Sequence, residues 1–84
     1  MDNQKEVYIS SLLEILTSVN GRGMEQKKVF RKLRGEIRRG EGISGVVDFK
    51  SYALTEDVLE KALEKKLIEE SSDLYLGNVY RIKR

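Results

Sequence analysis

Apolar residues recur at helical spacing at the start of the chain. Between residues 4 and 19, hydrophobic side chains stand one, three and four positions apart. They are Tyr8, Ile9, Leu12, Leu13, Leu16 and Val19. This spacing predicts a helix that buries one broad face, and Asn20 and Gly21 are suited to its C-terminal cap.

A second amphipathic helix is predicted over residues 24 to 39. At about 100° per residue, Phe30, Leu33 and Ile37 fall on one stripe of this helix. Three closely spaced glycines then end the helical pattern. The pair of β-branched valines that follows makes residues 43 to 47 a candidate for a short strand.

The next part of the chain offers two helix N-caps. Asp48 can cap a short helical segment, and Thr55 can cap a longer one over residues 55 to 66. Leu54 and Leu59 have the spacing of a hydrophobic staple across the second cap. We therefore predict a short helix, a turn and a longer helix.

The end of the chain changes to the period of a β-strand. Leu67 and Ile68 mark the change, and residues 79 to 83 alternate so that Tyr80 and Ile82 share one side. Turn-forming residues lie between these segments, namely Ser71, Ser72, Asp73, Gly77 and Asn78. The pattern predicts a C-terminal β-hairpin.

This order of elements resembles a winged helix-turn-helix domain. The resemblance is carried by residues 46 to 83, through VVDFKSYALTEDVLEKALEKKLIEE and then VYRIK. It implies an α+β fold in which helices are followed by a C-terminal hairpin, the wing, with residues 1 to 84 forming a single domain. It also implies nucleic-acid binding, commonly with the second helix of the motif in the major groove and the wing along the backbone.

Positive charge is concentrated in the second predicted helix. The net charge of the 84 residues is only +2, yet eight of the sixteen Lys and Arg residues lie between residues 22 and 39. Only Glu25 and Glu36 oppose them there. Because like charges repel unless an anionic partner lies against them, this pattern indicates a contact with nucleic acid, with an acidic protein surface or with an anionic membrane. A solvated helix surface is the alternative interpretation.

The candidate nucleic-acid site combines the cations of this helix with those of the last strand. Its residues are Lys27, Lys28, Arg31, Lys32, Arg34, Arg38, Arg39, Arg81 and Lys83. We expect them to contact phosphates rather than to read bases, with DNA favoured over RNA. Gly35 lies among them and could let a phosphate approach the backbone, although a glycine inside a helix more often marks a bend or costs about 1 kcal/mol.

The helix predicted over residues 55 to 66 opposes a simple DNA-reading role. It begins with Glu56 and Asp57, which phosphates would repel. The alternative function is therefore a protein-interaction module that uses this acidic helix and the apolar hairpin tip. The hairpin tip consists of Leu74, Tyr75 and Leu76. We favour packing of the tip on the domain's own core; an exposed tip would instead be an interface for a homodimer or another partner.

Catalytic chemistry has little support in this chain. With no histidine and no cysteine, it lacks the usual general base, nucleophile and soft metal ligand, so we expect no enzyme, no cofactor and no metal.

The N-terminus lacks the basic and apolar regions of a signal peptide, and no long apolar run is present. We expect a cytoplasmic DNA-binding protein without membrane contacts, acting as a regulator or as a replication or transcription accessory.

Overall fold

The computed structural model describes residues 3–19, 23–45 and 48–83 as three helices and one three-stranded antiparallel sheet. The elements in chain order are α1 (Asn3–Thr17), β1 (Met24–Glu25), α2 (Gln26–Glu41), α3 (Phe49–Glu64), β2 (Ile68–Asp73) and β3 (Gly77–Ile82). The strand order is β1-β3-β2, so the last strand lies between the other two. This confirms the α+β class, and the layout is compatible with a winged helix.

The helices and the sheet share one apolar core. Its buried members from α1 are Tyr8, Ile9, Leu12 and Leu16, which confirms the first predicted helix and its buried face. The helix ends at Thr17, and its predicted capping residues, Asn20 and Gly21, lie outside the described residues. α1 packs against both α2, which carries most of the candidate site residues, and α3.

The second helix begins later than its hydrophobic pattern predicts. Met24 and Glu25 form β1, paired with Tyr80 and Val79 of β3, and α2 begins at Gln26. A strand of two residues is too short to show a period of its own. Its conformation is decided by the neighbouring strand β3, which is remote in the sequence.

The buried stripe of α2 is formed by Val29, Leu33 and Ile37. The predicted positions of Leu33 and Ile37 are confirmed, while Phe30 lies at the edge of the stripe and packs against the core from there. The helix ends at Glu41, and its C-cap is Gly42, whose φ of 65° is the left-handed conformation typical of a helix C-terminus.

The predicted division of residues 48 to 66 into two helices is wrong. α3 is continuous, and its N-cap is Asp48, as predicted, with the carboxylate accepting a hydrogen bond from the Ser51 backbone N–H at 2.6 Å. Thr55 is buried inside the helix, where its hydroxyl donates to the Ser51 carbonyl at 2.6 Å. Because this bond satisfies the hydroxyl within the helix, Thr55 does not act as a cap.

The strand predicted over residues 43 to 47 is not observed where the structure describes this segment. Residues 43 to 45 have no regular structure, and Val46 and Val47 lie outside the described residues. α2 and α3 are therefore consecutive helices joined by a short connection. The strand that precedes this pair is β1.

The predicted C-terminal hairpin is confirmed. β2 and β3 pair in register from Ile68 opposite Ile82 to Asp73 opposite Gly77. Ile68 and Val79 are buried at its base. At the turn, one carboxylate oxygen of Asp73 accepts the backbone N–H groups of the two residues Tyr75 and Leu76, at 2.8 and 3.0 Å.

Candidate nucleic-acid interface

Four exposed cations occupy the first two turns of α2. They are Lys27, Lys28, Arg31 and Lys32, and we call them the cationic face. Within the described residues, no acidic side chain forms an ion pair with any of them, whereas the cations that do form such pairs are Lys5, Arg34, Arg38, Arg39, Lys50, Lys65 and Arg81. The cationic face is thus a cluster of like charges that has no ion-pair partner among the residues that the structure describes.

The start of α2 is an unfavourable place for positive charge. Lys27 and Lys28 lie in the first turn, which contains no acid, and the N-cap residue Glu25 makes no side-chain capping bond. The helix dipole is positive at this end, so each lysine costs roughly 0.3 to 1 kcal/mol at low ionic strength. Stability therefore does not explain these two lysines, whereas a bound anion would complement both the dipole and the side chains.

Two residues of the predicted site, Arg34 and Arg38, are engaged within the protein. The Arg34 guanidinium donates to the Ser51 hydroxyl at 3.0 Å and lies 3.5 Å from a carboxylate oxygen of Asp48. The Arg38 guanidinium lies 3.5 Å from the same oxygen and also donates to the Gly45 carbonyl. Both arginines therefore hold the connection between α2 and α3 through Asp48.

The remaining predicted cations lie outside the first two turns of α2. Arg39 is exposed near the end of α2 and pairs with Glu36. Arg81 pairs with Glu69 across the hairpin at 3.3 Å, and Lys83 is exposed. Glu25, the residue before α2, pairs with Val79 of β3. Lys83 follows the end of β3 and lies four residues beyond Val79, or about 13 Å along an extended chain.

Two poorly exposed carboxylates connect the three helices. The Asp48 side chain is 12% exposed, and hydrogen bonds from Ser51, assisted by the nearby Arg34, lower its pKa. The Glu41 side chain is 7% exposed, and its pKa is lowered by a 2.6 Å hydrogen bond from the Tyr8 hydroxyl and by Lys50, against the opposing effect of burial. Burial, followed by this bond to Glu41, raises the pKa of Tyr8 to about 12.

Stability is expected to fall at both ends of the pH range. The lowered pKa values of Asp48 and Glu41 mean that their contribution is present above their ordinary pKa of about 4 and is lost as the pH falls through the lowered values. The raised pKa of Tyr8 acts in the opposite direction, because its contribution is lost as the pH rises from about 10 to about 12.

Thermal denaturation followed by circular dichroism across this pH range checks the expectation. Glu41→Gln should reduce the acid loss, and Tyr8→Phe should reduce the alkaline loss. Part of the alkaline loss should remain, because burial also raises the pKa of Tyr80. A melting temperature that stays constant below pH 4 would contradict the assignment of these carboxylates.

The outer face of α3 is acidic along its second half. The exposed acids are Glu56, Asp57, Glu60 and Glu64. The expectation that Glu56 and Asp57 open the helix is wrong, because α3 begins seven residues before Glu56, at Phe49. The first turn instead exposes an apolar side chain, since Phe49 is 82% exposed.

A surface groove of about 380 Å³ lies between the start of α2, the middle of α3 and β3. Its lining residues are Gln26, Lys27, Phe30, Tyr52, Glu56, Leu59 and Tyr80. The ring centroids of Phe30 and Tyr52 are 4.9 Å apart, and their planes are tilted by 56°. Sequence reasoning missed this groove, because its walls come from three elements that no local pattern connects.

The hairpin tip is exposed, so the expectation that it packs on the domain's own core is wrong. Leu74 is 90% exposed and Leu76 is 36% exposed. The bonds that Asp73 accepts from the turn order it locally, and the base of the hairpin already supplies buried side chains. The turn therefore does not require burial of its apolar residues.

Comparisons with protein-family models, curated proteins and solved structures find no match for this chain. None of the helices that the structure describes is long and apolar enough to cross a membrane. Within the same residues, no three His, Cys, Asp or Glu side chains are grouped so that they could hold a metal ion.

Proposed function

We propose that this chain is a small winged-helix protein that binds double-stranded DNA through the cationic face of α2. The observation that carries the proposal is the clustering of Lys27, Lys28, Arg31 and Lys32 on two turns, exposed and without an acidic partner among the described residues. DNA phosphates would neutralise these charges, and the release of condensed counterions would favour the complex.

The layout supports a winged helix whose parts are shifted along the chain from the expected positions. In this assignment, α2 and α3 form the helix-turn-helix pair, β1 precedes the pair, and β2 and β3 form the wing. α3 then takes the position of the recognition helix. Its acidic outer face opposes deep insertion into a groove, so we infer backbone contacts by α2 rather than base reading by α3.

Such contacts are typical of a protein that binds the DNA phosphate backbone without strong sequence preference. We propose that it acts in the cytoplasm as a regulator or as a replication or transcription accessory. Lys83 and Arg81 follow the β3 residues that pair with β1 and lie apart from the cationic face; they would supply a second, weaker contact with the same DNA backbone.

A titration of the purified chain with a blunt DNA duplex at two salt concentrations tests the proposal. Fluorescence anisotropy should show binding that weakens as salt rises, with a slope of about 0.9 for each phosphate contacted. Contacts by the whole cationic face would give a slope magnitude of about 3.6. Absence of binding at the lower salt concentration, or an affinity independent of salt, would contradict DNA binding by this face.

A second candidate function is protein interaction, which the exposure of the hairpin tip favours. Leu74 and Leu76 form an exposed apolar patch at the hairpin tip, and a two-fold homodimer is the commonest assembly that would bury such a patch. In this alternative, the acidic face of α3 would also contact the partner and the cationic face would only aid solubility.

Replacing Leu74 and Leu76 together by serine is expected to shift the molecular mass from dimer to monomer. Since the tip is exposed, the free energy of unfolding of the monomer should change by less than about 0.5 kcal/mol for each residue. Light scattering measures the mass, and urea denaturation measures the stability. A loss of roughly 2 to 4 kcal/mol without any change of mass would mean that the tip packs in its own domain, and the interface would be rejected.

A further inference from the structure

The groove between α2, α3 and β3 offers aromatic surface beside the cationic face. Phe30, Tyr52 and Tyr80 come from the three different elements and line one open space of about 380 Å³. This volume lies within the range of small-ligand pockets. A flat heterocycle attached to a polymer could therefore enter from the solvent side while the rest of the polymer stays outside.

The aromatic rings are available for stacking. Tyr52 is 47% exposed, and Phe30 is half-buried at the edge of the core. Because the two rings are tilted by 56°, they do not cover one another's faces as stacked rings would. Stacking of a nucleobase on such a ring typically raises affinity by about fivefold to a hundredfold.

The polar groups of the groove select among bases. Glu56 lines the groove as a carboxylate and can accept hydrogen bonds from the exocyclic amine of cytosine or adenine. Thymine has no exocyclic amine, and an unpaired thymine offers Glu56 only its ring N3–H, which is flanked by two carbonyl oxygens that the carboxylate repels. The carboxylate would repel a phosphate, so the base rather than the backbone is the part that fits beside Glu56.

The path of the backbone follows from the position of Lys27. This residue lines the groove and also belongs to the cationic face, which continues with Arg31 one turn later. A nucleic-acid strand whose phosphates lie along these two side chains would place one of its bases at the opening of the groove. The positive charge on one wall thus complements the phosphate of a nucleotide, and the aromatic rings in the groove complement its base.

We propose that this groove binds one unpaired, amine-bearing nucleobase of a strand whose phosphates lie on the cationic face. The inference rests on the proposed nucleic-acid function and extends it from duplex DNA to single-stranded ends and bulges. It assigns the stacking contact to Tyr52 and Phe30, and the selection of the base to Glu56.

The proposal is tested with three probes of equal length: oligodeoxycytidylate, oligothymidylate and a blunt duplex. Anisotropy titrations should show oligodeoxycytidylate bound at least about fivefold more tightly than oligothymidylate. A 2-aminopurine placed within the oligothymidylate should lose fluorescence when the protein is added, because it bears an amine and would stack on the tyrosine ring.

Matched variants separate stacking and base selection from general charge effects. Tyr52→Leu should lower single-strand affinity by about fivefold or more and leave duplex affinity unchanged, whereas Tyr75→Leu, at another exposed tyrosine, should change neither. Glu56→Leu should bring the ratio of oligodeoxycytidylate to oligothymidylate affinity close to one. Glu60→Leu removes the same charge from the same helix outside the groove lining, and it should leave that ratio unchanged.

The outcomes separate this inference from the proposed function. Duplex binding without a cytidylate preference and without 2-aminopurine quenching overturns the base site but leaves duplex binding by the cationic face standing. Failure of all three probes to bind overturns both. If the Tyr52→Leu protein fails to fold, the quenching of the 2-aminopurine probe by the unmodified protein still decides the test.

Discussion

Replacing Lys28, Arg31 and Lys32 together by alanine is expected to reduce the salt dependence and the affinity of DNA binding. The three side chains are exposed on the first two turns of α2 and form no ion pair within the described residues. If each contacts one phosphate, the slope of log affinity against log salt should fall by about 0.9 per residue, or about 2.7 in all. Anisotropy titrations with one duplex at several salt concentrations measure this slope.

A control variant removes the same amount of positive charge outside the cationic face. Changing Lys5, Lys61 and Lys65 together to alanine should leave the slope nearly unchanged. Lys5 of α1 pairs with Asp57 of α3, and Lys65, just after α3, pairs with Glu6 of α1, so these pairs lie outside the cationic face. Equal losses in both triple variants would indicate that only net charge matters. An unchanged slope in the α2 variant, with its fold intact, would exclude the cationic face from the site.

Gly23→Ala is expected to destabilise the protein by about 2 to 3 kcal/mol. The φ of Gly23 is 89°, and an added Cβ would lie 2.5 Å from the Tyr80 carbonyl oxygen and 2.9 Å from the Arg81 Cβ. The chain passes this close to β3 because β1 must pair there before α2 begins. The melting temperature should fall by roughly 10 to 20 °C for a domain of this size.

Gly35→Ala is the matched control for this substitution. Gly35 lies inside α2 with nothing within 4 Å of an added Cβ, and its φ is not positive. Alanine should therefore stabilise the helix by about 1 kcal/mol. A gain in stability combined with weaker DNA binding would indicate that a phosphate approaches the backbone at Gly35.

A Gly23→Ala protein as stable as the unmodified chain would contradict the close approach of β1 to β3.

The parts of the fold that local patterns determine were predictable. The spacing of Leu12 and Leu16 indicates the buried face of α1, the side chain of Asp48 suits an N-cap, and the alternation around Tyr80 indicates a strand. In each case, neighbours in the sequence are also the decisive neighbours in space. The cationic face belongs to the same class, because a helical wheel places Lys28, Lys32 and their neighbours outside.

The failures occur where contacts between distant segments decide the conformation. Thr55 has the local chemistry of an N-cap, yet burial against the core keeps it inside α3. A helical wheel leaves Arg34 at the edge of the charged face and does not reveal that Asp48, fourteen residues later, binds it. Met24 and Glu25 carry no strand pattern and pair only because β3 lies beside them.

The most direct test of DNA binding by the cationic face is an NMR titration of the ¹⁵N-labelled chain with a blunt DNA duplex. The largest changes in backbone amide chemical shift should fall on residues 27 to 32, while the acidic second half of α3, residues 56 to 64, should change little. Changes concentrated on α3 or on the hairpin tip, with residues 27 to 32 unaffected, would contradict the account.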